Sequence, residues 1–496
     1  MILCLILSLI SGAALVGAFA PFNIFYLAFL SPAAFLYLCA ISKTYKQAFA
    51  YGLAFGIGFF TLGVYWVFIS IHHFGGANLP LSLLILSLFI SFLALFPAIQ
   101  ALVLKYLFLH RSFTVVSVVA FPAIWVIWEW LRELPFNGFP WLFLGYSQLG
   151  TPLRGFVPLF GVYGVSLIIC FISGTLILIL TSSSIKTKFC CSLMIIFLFF
   201  IGWLLEFPEW TKPIKQPLTV SLVQGNVAQS DKWQNDQLIH SLNHYLLLTQ
   251  KNLNSKLIIW PEAAVPTSPQ AVGNYLTTVN SLLQKHNNYL IFGTLITNSI
   301  PQYFNGLLLI GKGLGQYSKR HLVPFGEYTP LSSLFSWMMD RLNIPMSDLS
   351  PGPTQQSLLK VDDLFISPFI CYEVAFSQEV LTASKNSNLL IALSDDSWFG
   401  DSIALAQHLQ ISQIRALETG RSMLLATNTG ITAFVNAKGE ILATAPINKS
   451  FVLTSTVIPM TGNTPLMNWY YYPVIIIIIL LLALTGLSKR WPRKSM

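Results

Sequence analysis

Long apolar runs dominate the first two fifths of the chain, and a polar region follows them. Apolar segments of roughly bilayer-spanning length, about 20 residues, recur before residue 207, and one more lies near the C terminus. They are residues 3–20, 22–41, 48–70, 80–104, 113–131, 157–182, 188–206 and 471–488. The first lacks a basic stretch before it, so a retained helix is predicted rather than a signal peptide. The pattern predicts a multi-pass α-helical bundle of about eight transmembrane helices.

The polar region alternates short apolar runs with amphipathic stretches, which predicts an α/β domain. Predicted strands are residues 218–223, 257–260, 289–296, 307–310, 317–323, 365–371, 389–393, 423–426, 431–435, 441–444 and 451–457. Predicted helices are residues 236–251, 273–286, 376–385 and 404–419. Prolines mark both ends of the region. We therefore expect a transmembrane region at 1–207, an extracytoplasmic domain at 208–468, and a last transmembrane helix with a basic tail at 469–496.

Charge separates the same regions and orients the bundle. The chain is 54% hydrophobic and 9% charged, and of its 19 acidic residues only Glu129, Glu133 and Glu206 precede residue 207. One set of short loops and the C terminus carry Lys43, Lys46, Lys105, Arg111, Lys186, Lys188, Lys489, Arg490, Arg493 and Lys494. The opposite loops carry only Arg132 and Arg154. This bias predicts cytoplasmic termini, and it accounts for much of the net charge of +9 without a nucleic-acid partner.

One cysteine stands alone in the polar region. Cys371 follows an apolar strand-like run, whereas Cys4, Cys39, Cys170, Cys190 and Cys191 lie in or beside apolar segments. A thiol without a partner in an oxidising compartment is a candidate nucleophile. A buried core cysteine is the alternative that position alone leaves open.

Two further residues near strand ends complete a possible acyl-transfer site. Glu262 follows Pro261 at the end of one predicted strand, and Lys319 lies in another. A carboxylate can act as a base, and a lysine can stabilise an oxyanion and favour a thiolate. Glu373, two residues after Cys371, would share its face if the strand stayed regular. Taken singly, an exposed loop carboxylate and a solvated strand lysine are the more ordinary interpretations of Glu262 and Lys319.

Other motifs are set aside. The run 311–315 (GKGLG) lacks the spacing of a phosphate-binding loop and predicts a hairpin turn. His240 and His244 have the spacing of metal ligands on a helix, but no third ligand is evident. The sequence contains no Gly-x-Ser-x-Gly motif, the pattern that would indicate a serine hydrolase.

Together, these residues resemble the nitrilase superfamily of carbon–nitrogen hydrolases, which use a Glu-Lys-Cys triad in that chain order. With its apolar segments, the whole chain resembles the apolipoprotein N-acyltransferase family, a membrane-embedded branch of that superfamily. The matching segments are 138–142 (GFPWL), 145–148 (GYSQ), 223–226 (VQGN), 260–262 (WPE), 321–327 (HLVPFGE), 371–373 (CYE) and 396–400 (DSWFG), with Asn305 and Lys319. The resemblance implies a nitrilase-like αββα sandwich for the polar domain.

The resemblance also implies roles for matched positions. Glu262 would be the general base, Lys319 the oxyanion stabiliser and Cys371 the acylated nucleophile. Supporting positions would be Tyr372, whose backbone N–H completes the oxyanion hole, with Glu327 and Glu373, and substrate-binding positions would be Trp233, Asn305 and Trp398. One departure is Asp395, where the family more often has Asn. The extra carboxylate would either perturb local pKa values or pair with a neighbouring cation.

The activity implied is transfer of a fatty acyl chain from a membrane phospholipid to the N-terminal amine of a diacylglyceryl-cysteine lipoprotein. It would proceed by a ping-pong route through a cysteine thioester, with no cofactor or metal. The expected partners are the phospholipid donor, the diacylated apolipoprotein acceptor and the bilayer, but no nucleic acid. The protein would be a monomer of the bacterial inner membrane with its catalytic domain on the periplasmic side.

Two alternatives stay open at this point. A membrane-tethered amidase or nitrilase-type hydrolase would use the same triad, but water would release the acyl group from the thioester. A transporter with an accessory domain would need ionisable residues inside its spans. Glu129 and Arg132 are the main candidates for such a path, and they lie near one predicted membrane face.

Overall fold

A computed structural model describes residues 1–214, 216–298, 302–331 and 348–488. The predicted basic tail, with Lys489, Arg490, Arg493 and Lys494, lies outside the described residues. The chain forms two compact units. The first contains Met1–Phe68, Leu79–Pro208 and Asn468–Met496, and the second contains Ile69–Asn78 and Glu209–Met467. The domain boundaries expected near residues 208 and 468 stay predictions.

Apolar helices make up most of the first unit. They are Ile2–Val16, Leu27–Ile41, Tyr45–Gly63, Trp66–Ile69, Leu79–His110, Phe113–Val115, Phe121–Leu131, Val157–Thr181, Ile185–Leu204 and Tyr472–Leu487. Among the described residues, four stretches are long and apolar enough to cross a membrane: Leu79–His110, Phe113–Leu131, Pro152–Thr181 and Ile185–Leu204. A fifth is possible if Tyr45–Gly63 and Trp66–Phe74, bent by 55°, count as one broken span.

The prediction of about eight spans is therefore not confirmed among the described residues. Three of the predicted segments contain shorter apolar helices: Ile2–Val16, Leu27–Ile41 and Tyr472–Leu487. A helix of 15 residues, such as Ile2–Val16, is about 23 Å long, less than the roughly 30 Å of a hydrocarbon core. Apolar residues continue through the turns that end these helices. An apolar segment read from the sequence is therefore longer than the helix that it contains.

The second unit contains strands and amphipathic helices. Its described strands are β1 (Lys212–Pro213), β2 (Leu218–Gln224), β3 (Leu257–Ile259), β4 (Tyr289–Thr297), β5 (Tyr303–Gly311), β6 (Gly315–Ser318), β7 (Leu359–Val361), β8 (Leu364–Ile370), β9 (Leu389–Ser394), β10 (Met423–Thr427), β11 (Ala433–Val435), β12 (Ile441–Thr444), β13 (Phe451–Val457) and β14 (Met460–Thr461). Its described helices include Gln229–Lys232, Asn235–Gln250, Gly273–Lys285, Ser377–Ser384 and Ala404–Thr419.

Two six-stranded sheets form the centre of this unit. One has the order β13-β2-β3-β4-β5-β6, and the other has the order β12-β11-β10-β9-β8-β7. In the first sheet β2, β3 and β4 are parallel neighbours, and in the second β8, β9 and β10 are parallel. Parallel strands end at one edge of a sheet, so the loops after them lie together.

The sheets pack face to face, and helices cover their outer faces. Alternate residues of both sheets, such as Val220 and Leu222 of β2 and Ile391 and Leu393 of β9, share one buried apolar core. The intervening residues of the first sheet pack against the helices Asn235–Gln250 and Gly273–Lys285 in a second core. Both faces of the central strands are buried, which explains their nearly continuous apolar sequences. The layers follow the order helix, sheet, sheet, helix, as the resemblance implied.

Predicted and observed strands differ at two ends that matter for the site. The strand predicted at 317–323 ends at Ser318, so Lys319 lies just beyond β6 rather than within it. The strand predicted at 365–371 ends at Ile370, because Cys371 adopts a left-handed backbone (φ 51°) and begins a 3₁₀ turn. The hairpin predicted around 311–315 is confirmed, with Leu309 opposite Gly315.

Candidate active site

Glu262 lies in a tight turn at the end of β3. Ala263, the next residue, has a left-handed backbone (φ 47°), a conformation that costs a non-glycine residue about 1–3 kcal/mol. The turn passes directly over Gly293 of β4. A Cβ atom at Gly293 would lie 2.5 Å from the Ala263 backbone nitrogen and 2.7 Å from Glu262 Cα. The glycine is therefore needed for the close approach that places Glu262.

Lys319 forms a buried cluster with two carboxylates and an amide. Its Nζ lies 2.8 Å from Glu327 Oε2 and 3.8 Å from Glu262 Oε1. Asn305 Nδ2 donates to Glu262 Oε1 at 2.7 Å and to Glu327 Oε1 at 2.8 Å. Lys319 is only 1% exposed and Glu262 only 7%. The structure thus brings together four sequence-predicted residues, and neither Glu262 nor Lys319 is the solvated surface residue of the ordinary interpretation.

Glu373 holds the turn that begins at Cys371, and it does so by a different geometry from the one predicted. The strand is not regular there, so the two residues do not share a strand face. Instead, the fully buried Glu373 carboxylate folds back and accepts from the Ile370 backbone N–H at 2.8 Å. It also accepts from Tyr317 Oη at 2.8 Å and from the Arg320 backbone N–H at 2.7 Å. Glu373 thereby fixes the cysteine turn relative to the segment that carries Lys319.

Burial raises the pKa of both the thiol and the proposed base. Burial raises the pKa of the Cys371 thiol well above its usual range, and Glu262 adds to this while Lys319 opposes it. Burial also raises the pKa of Glu262, where the Lys319 charge and the Asn305 hydrogen bond act in the opposite direction and Glu327 adds to the rise. Lys319 lowers the pKa of the thiol, as expected of a cation that favours a thiolate, but burial outweighs this effect. The thiol needs a base at the moment of attack.

Lys319 keeps its charge in spite of burial. Burial alone would lower the pKa of Lys319, but Glu327, Glu262 and Cys371 outweigh it and raise the pKa above the usual range. The site therefore holds a fixed positive charge next to a carboxylate and a thiol. A fixed charge of this kind can stabilise negative charge that develops on a reacting carbonyl oxygen.

A buried histidine behind the cysteine turn was missed by sequence reasoning. His408, on the helix Ala404–Thr419, is 1% exposed, and its Nδ1 lies 3.1 Å from Asp396 Oδ1. Ser394 Oγ donates to the same carboxylate oxygen at 2.5 Å. Burial would lower the pKa of His408, but Asp396 and a hydrogen bond with the Cys371 backbone outweigh it and raise the pKa. No sequence pattern marks His408, because its importance comes only from the packing of its helix.

The unusual Asp395 has a cationic partner. Its side chain forms an ion pair with Lys232, and the two side chains are 6% and 2% exposed. The Asp395 backbone N–H donates to Glu262 Oε2 at 2.8 Å. Of the two outcomes expected from sequence, pairing with a neighbouring cation is observed, and the Asp395 charge also adds to the upward shift of the Glu262 pKa. Lys232 was not singled out, although it directly precedes Trp233.

The remaining predicted residues lie around this cluster. The Trp233 Nε1–H reaches the Gln229 amide oxygen at 3.2 Å, with the amide oriented to satisfy both of its partners. The Trp398 carbonyl accepts from Ser70 Oγ at 2.7 Å, and the Trp398 ring packs edge-on against Phe74 at 5.8 Å. Tyr372 packs edge-on against Phe376 at 5.1 Å.

The histidine pair and the glycine-rich run that were set aside as metal and phosphate sites have other structural roles. His244 Nε2 lies 2.8 Å from Ser450 Oγ, and the 311–315 run joins β5 to β6. Within the described ranges, no group of three or more His, Cys, Asp or Glu side chains could hold a metal ion.

Comparisons with known proteins match both units. A family model described as the apolipoprotein N-acyltransferase N-terminal domain matches residues 11–175, and a carbon–nitrogen hydrolase model matches residues 219–463. The apolipoprotein N-acyltransferase of Coxiella burnetii is 49% identical over 468 residues, which cover 94% of this chain and 96% of the relative. The chain belongs to the apolipoprotein N-acyltransferase family.

Other members of the apolipoprotein N-acyltransferase family match over the same length. The enzyme of that name from Methylococcus capsulatus is 38% identical and covers 94% of this chain and 92% of its own. Among solved structures, a carbon–nitrogen hydrolase from Helicobacter pylori G27 aligns with 53% of this chain and 95% of its own, at 15% identity and a TM-score of 0.38. That structural likeness is too weak to carry an argument by itself. Family membership follows from sequence identity over almost the whole chain.

Proposed function

We propose that this protein transfers a fatty acyl chain from a membrane phospholipid to the N-terminal amine of the diacylglyceryl-cysteine of apolipoproteins. The observation that carries the proposal is the 49% identity, over 94% of the chain, to a relative named apolipoprotein N-acyltransferase. The buried cluster of Glu262 and Lys319, whose charges act on Cys371, supports the same chemistry.

In the first half-reaction, Cys371 attacks the ester carbonyl of the phospholipid. Glu262 takes the thiol proton as the carbon–sulfur bond forms, which its raised pKa makes favourable. Lys319 stabilises the oxyanion together with the Tyr372 backbone N–H. The intermediate then collapses, the ester carbon–oxygen bond breaks, and the lysophospholipid oxygen leaves with the proton held by Glu262. The product is a Cys371 thioester.

In the second half-reaction, the acceptor amine attacks the thioester. Glu262 now removes a proton from the attacking nitrogen, and the sulfur regains it as the carbon–sulfur bond breaks. The products are an amide-linked third acyl chain and a free thiol. Water at the thioester would turn the enzyme into a lipase, so the site must exclude it until the amine arrives. Trp233, Asn305 and Trp398 are the candidates for contacts with the two substrates.

The apolar unit suits this reaction because donor and acceptor are both lipid-anchored. The positive-inside bias supports an inner-membrane protein with the catalytic unit on the periplasmic side. We expect a monomer, since one chain supplies the base, the cation and the nucleophile. The tethered amidase, which would use the same triad on a small amide, is not favoured by relatives that match over both units.

The test uses full-length protein in detergent with phospholipid labelled in its acyl chain and a synthetic diacylated lipopeptide. Native protein should carry one hydroxylamine-sensitive acyl group on Cys371 and should add an amide-linked chain to the peptide. Cys371→Ala should do neither. Cys190→Ala, which changes an exposed cysteine of the first unit, should behave like the native protein.

Ammonia release from a small amide, without acylated peptide, would support the amidase instead. Acyl transfer that persists in Cys371→Ala would exclude the thioester route. Mass spectrometry of the intact protein and of the peptide distinguishes these outcomes.

A further inference from the structure

A buried ion pair joins two loops next to the proposed base. Lys232 ends the short helix Gln229–Lys232, and Asp395 follows strand β9. Both side chains are almost fully buried, at 2% and 6% exposure. Removing one partner of such a pair leaves an uncompensated buried charge, whereas removing both with neutral groups of similar size is often tolerated.

Asp395 is held from several sides and presents its backbone to Glu262. Its Oδ1 accepts from Ser397 Oγ at 2.6 Å and from Asn428 Nδ2 at 3.1 Å. Its backbone N–H donates to Glu262 Oε2 at 2.8 Å, whereas Asn305 donates to the other oxygen, Oε1. The position of the Asp395 side chain therefore sets where one hydrogen bond to the base can form.

The same carboxylate also fixes the Trp233 segment. Gln229 donates from its amide nitrogen to Asp395 Oδ2 at 3.1 Å and accepts from Trp233 Nε1 at 3.2 Å. Lys232, between these two residues in sequence, binds Asp395 directly. One aspartate thus connects a proposed substrate-contacting tryptophan to the proposed base.

We propose that Lys232 and Asp395 form a positioning pair that orients Glu262 and couples its orientation to the Trp233 segment. The inference rests on the proposed function, because it assigns Glu262 the role of base. The pair does not touch the reacting atoms. It acts through the Asp395 backbone N–H and through the charge that Asp395 places near the base.

Several charged or titratable groups face Glu262 besides Asp395. They are Lys319, Glu327, Cys371 and His408. Asp395→Asn leaves all of these groups in place and removes one negative charge near Glu262. The pKa of Glu262 should therefore fall. The acid limb of the acylation rate, where Glu262 becomes protonated, should therefore move to lower pH.

The experiment measures single-turnover thioester formation against pH in full-length protein with labelled phospholipid. It compares native protein with Lys232→Met, Asp395→Asn and the double variant, each normalised to folded protein. Each single variant should slow acylation about 10-fold or more, because a small misplacement of a base is costly. The double variant should be faster than either single one, since no buried charge is left alone. Asp362→Asn, at a surface ion pair 39% exposed on the aspartate side, is the control and should match native protein.

The inference fails if the rate losses of the two single variants simply multiply in the double variant. It also fails if Asp395→Asn lowers stability but the acid limb of its acylation rate coincides with that of native protein. Either result would make the pair a purely structural one. A different result, native protein that forms no thioester at all, would instead contradict the proposed function. The two failures are therefore distinguishable within one data set.

Discussion

Each unit of the protein buries a carboxylate near a cation, but the two sites differ in their charge balance. In the helical unit, Glu129 accepts from Trp125 Nε1 at 3.0 Å and from the Leu144 backbone N–H at 2.8 Å. Arg132 lies over the Phe143 ring, 4.9 Å from its centroid. Glu129 Oε1 thus accepts two hydrogen bonds, and the Arg132 guanidinium donates to the Trp141 carbonyl at 3.2 Å, all within the same unit. This arrangement holds helices and loops together.

At the strand ends of the second unit, two carboxylates share one ammonium. Glu262 and Glu327 both lie within 4 Å of Lys319 Nζ, and Asn305 bridges them. Burial and the excess negative charge raise the pKa of Glu262. In an ion pair that served only stability, such an uncompensated buried charge would be unfavourable. The difference indicates that charge balance, rather than burial alone, separates a site built for chemistry from one built for stability.

The largest expected effect comes from Glu262→Gln. The change keeps size and removes the base, so single-turnover thioester formation should fall about 10²–10⁴-fold. Measurement of acylated protein by intact mass against time gives the rate. A rate within a few fold of native would mean that another group takes the thiol proton, and the contrast between the two sites would lose its chemical meaning.

Lys319→Met should have the next largest effect. Loss of an oxyanion-stabilising charge costs about 10²–10³ in rate, and two buried carboxylates lose their cation, which costs about 3–5 kcal/mol of stability. Acylation kinetics and thermal unfolding in detergent measure the two effects separately. Lys319→Arg, which keeps the charge, should recover part of the stability; if it recovered none, the charge would not be what the carboxylates require.

Gly293→Ala should act on the base through the backbone. The added Cβ would displace the Glu262 turn, and a misplacement of about 1 Å can slow a reaction about 10²-fold. Gly273→Ala is the matched control, since no atom lies within 4 Å of a Cβ at that position. Equal rates for the two variants would show that the close approach at Gly293 does not place the base.

A pH dependence of stability should distinguish Glu262 from a structural carboxylate. Because its pKa is raised in the folded state, protonated Glu262 contributes stability below its unfolded pKa, and this is lost as pH rises through the folded pKa. The Tm difference between Glu262→Gln and native protein should therefore grow in favour of the variant from pH 5 to pH 8. A difference that stays constant or shrinks over this range would contradict a raised pKa.

The smallest effect on chemistry is expected from Glu129→Gln. The amide keeps one acceptor but weakens hydrogen bonds to a charged group, so stability should fall by about 1–3 kcal/mol. The acylation rate of the folded fraction and its acid limb should stay at native values. A shifted acid limb in this variant would mean that Glu129 also tunes the base, and the two buried carboxylates would not differ in role as proposed.

Much of the local structure could be predicted from sequence because it depends on neighbouring residues. Period-two and period-three-to-four apolar patterns located most strands and helices, including Ala404–Thr419 and Phe451–Val457 at their observed bounds. The candidates Glu262, Lys319 and Cys371 were found because each lies next to a strand end in a distinctive motif. The predicted number of membrane spans was not confirmed among the described residues, since hydropathy does not reveal where an apolar helix stops.

The sequence by itself determined which segments prefer lipid or water, which residues alternate between two buried faces, and which family the motifs resemble. Only the tertiary structure decided how the buried charges pair. Lys232 and Asp395 are 163 residues apart, and His408 reaches Asp396 from a separate helix. Apolar periodicity is a local property of the chain, but the pKa of a buried group depends on charges that distant segments bring within a few ångströms. That is why the thiol of Cys371 could be located from sequence, whereas the upward shift of its pKa could not.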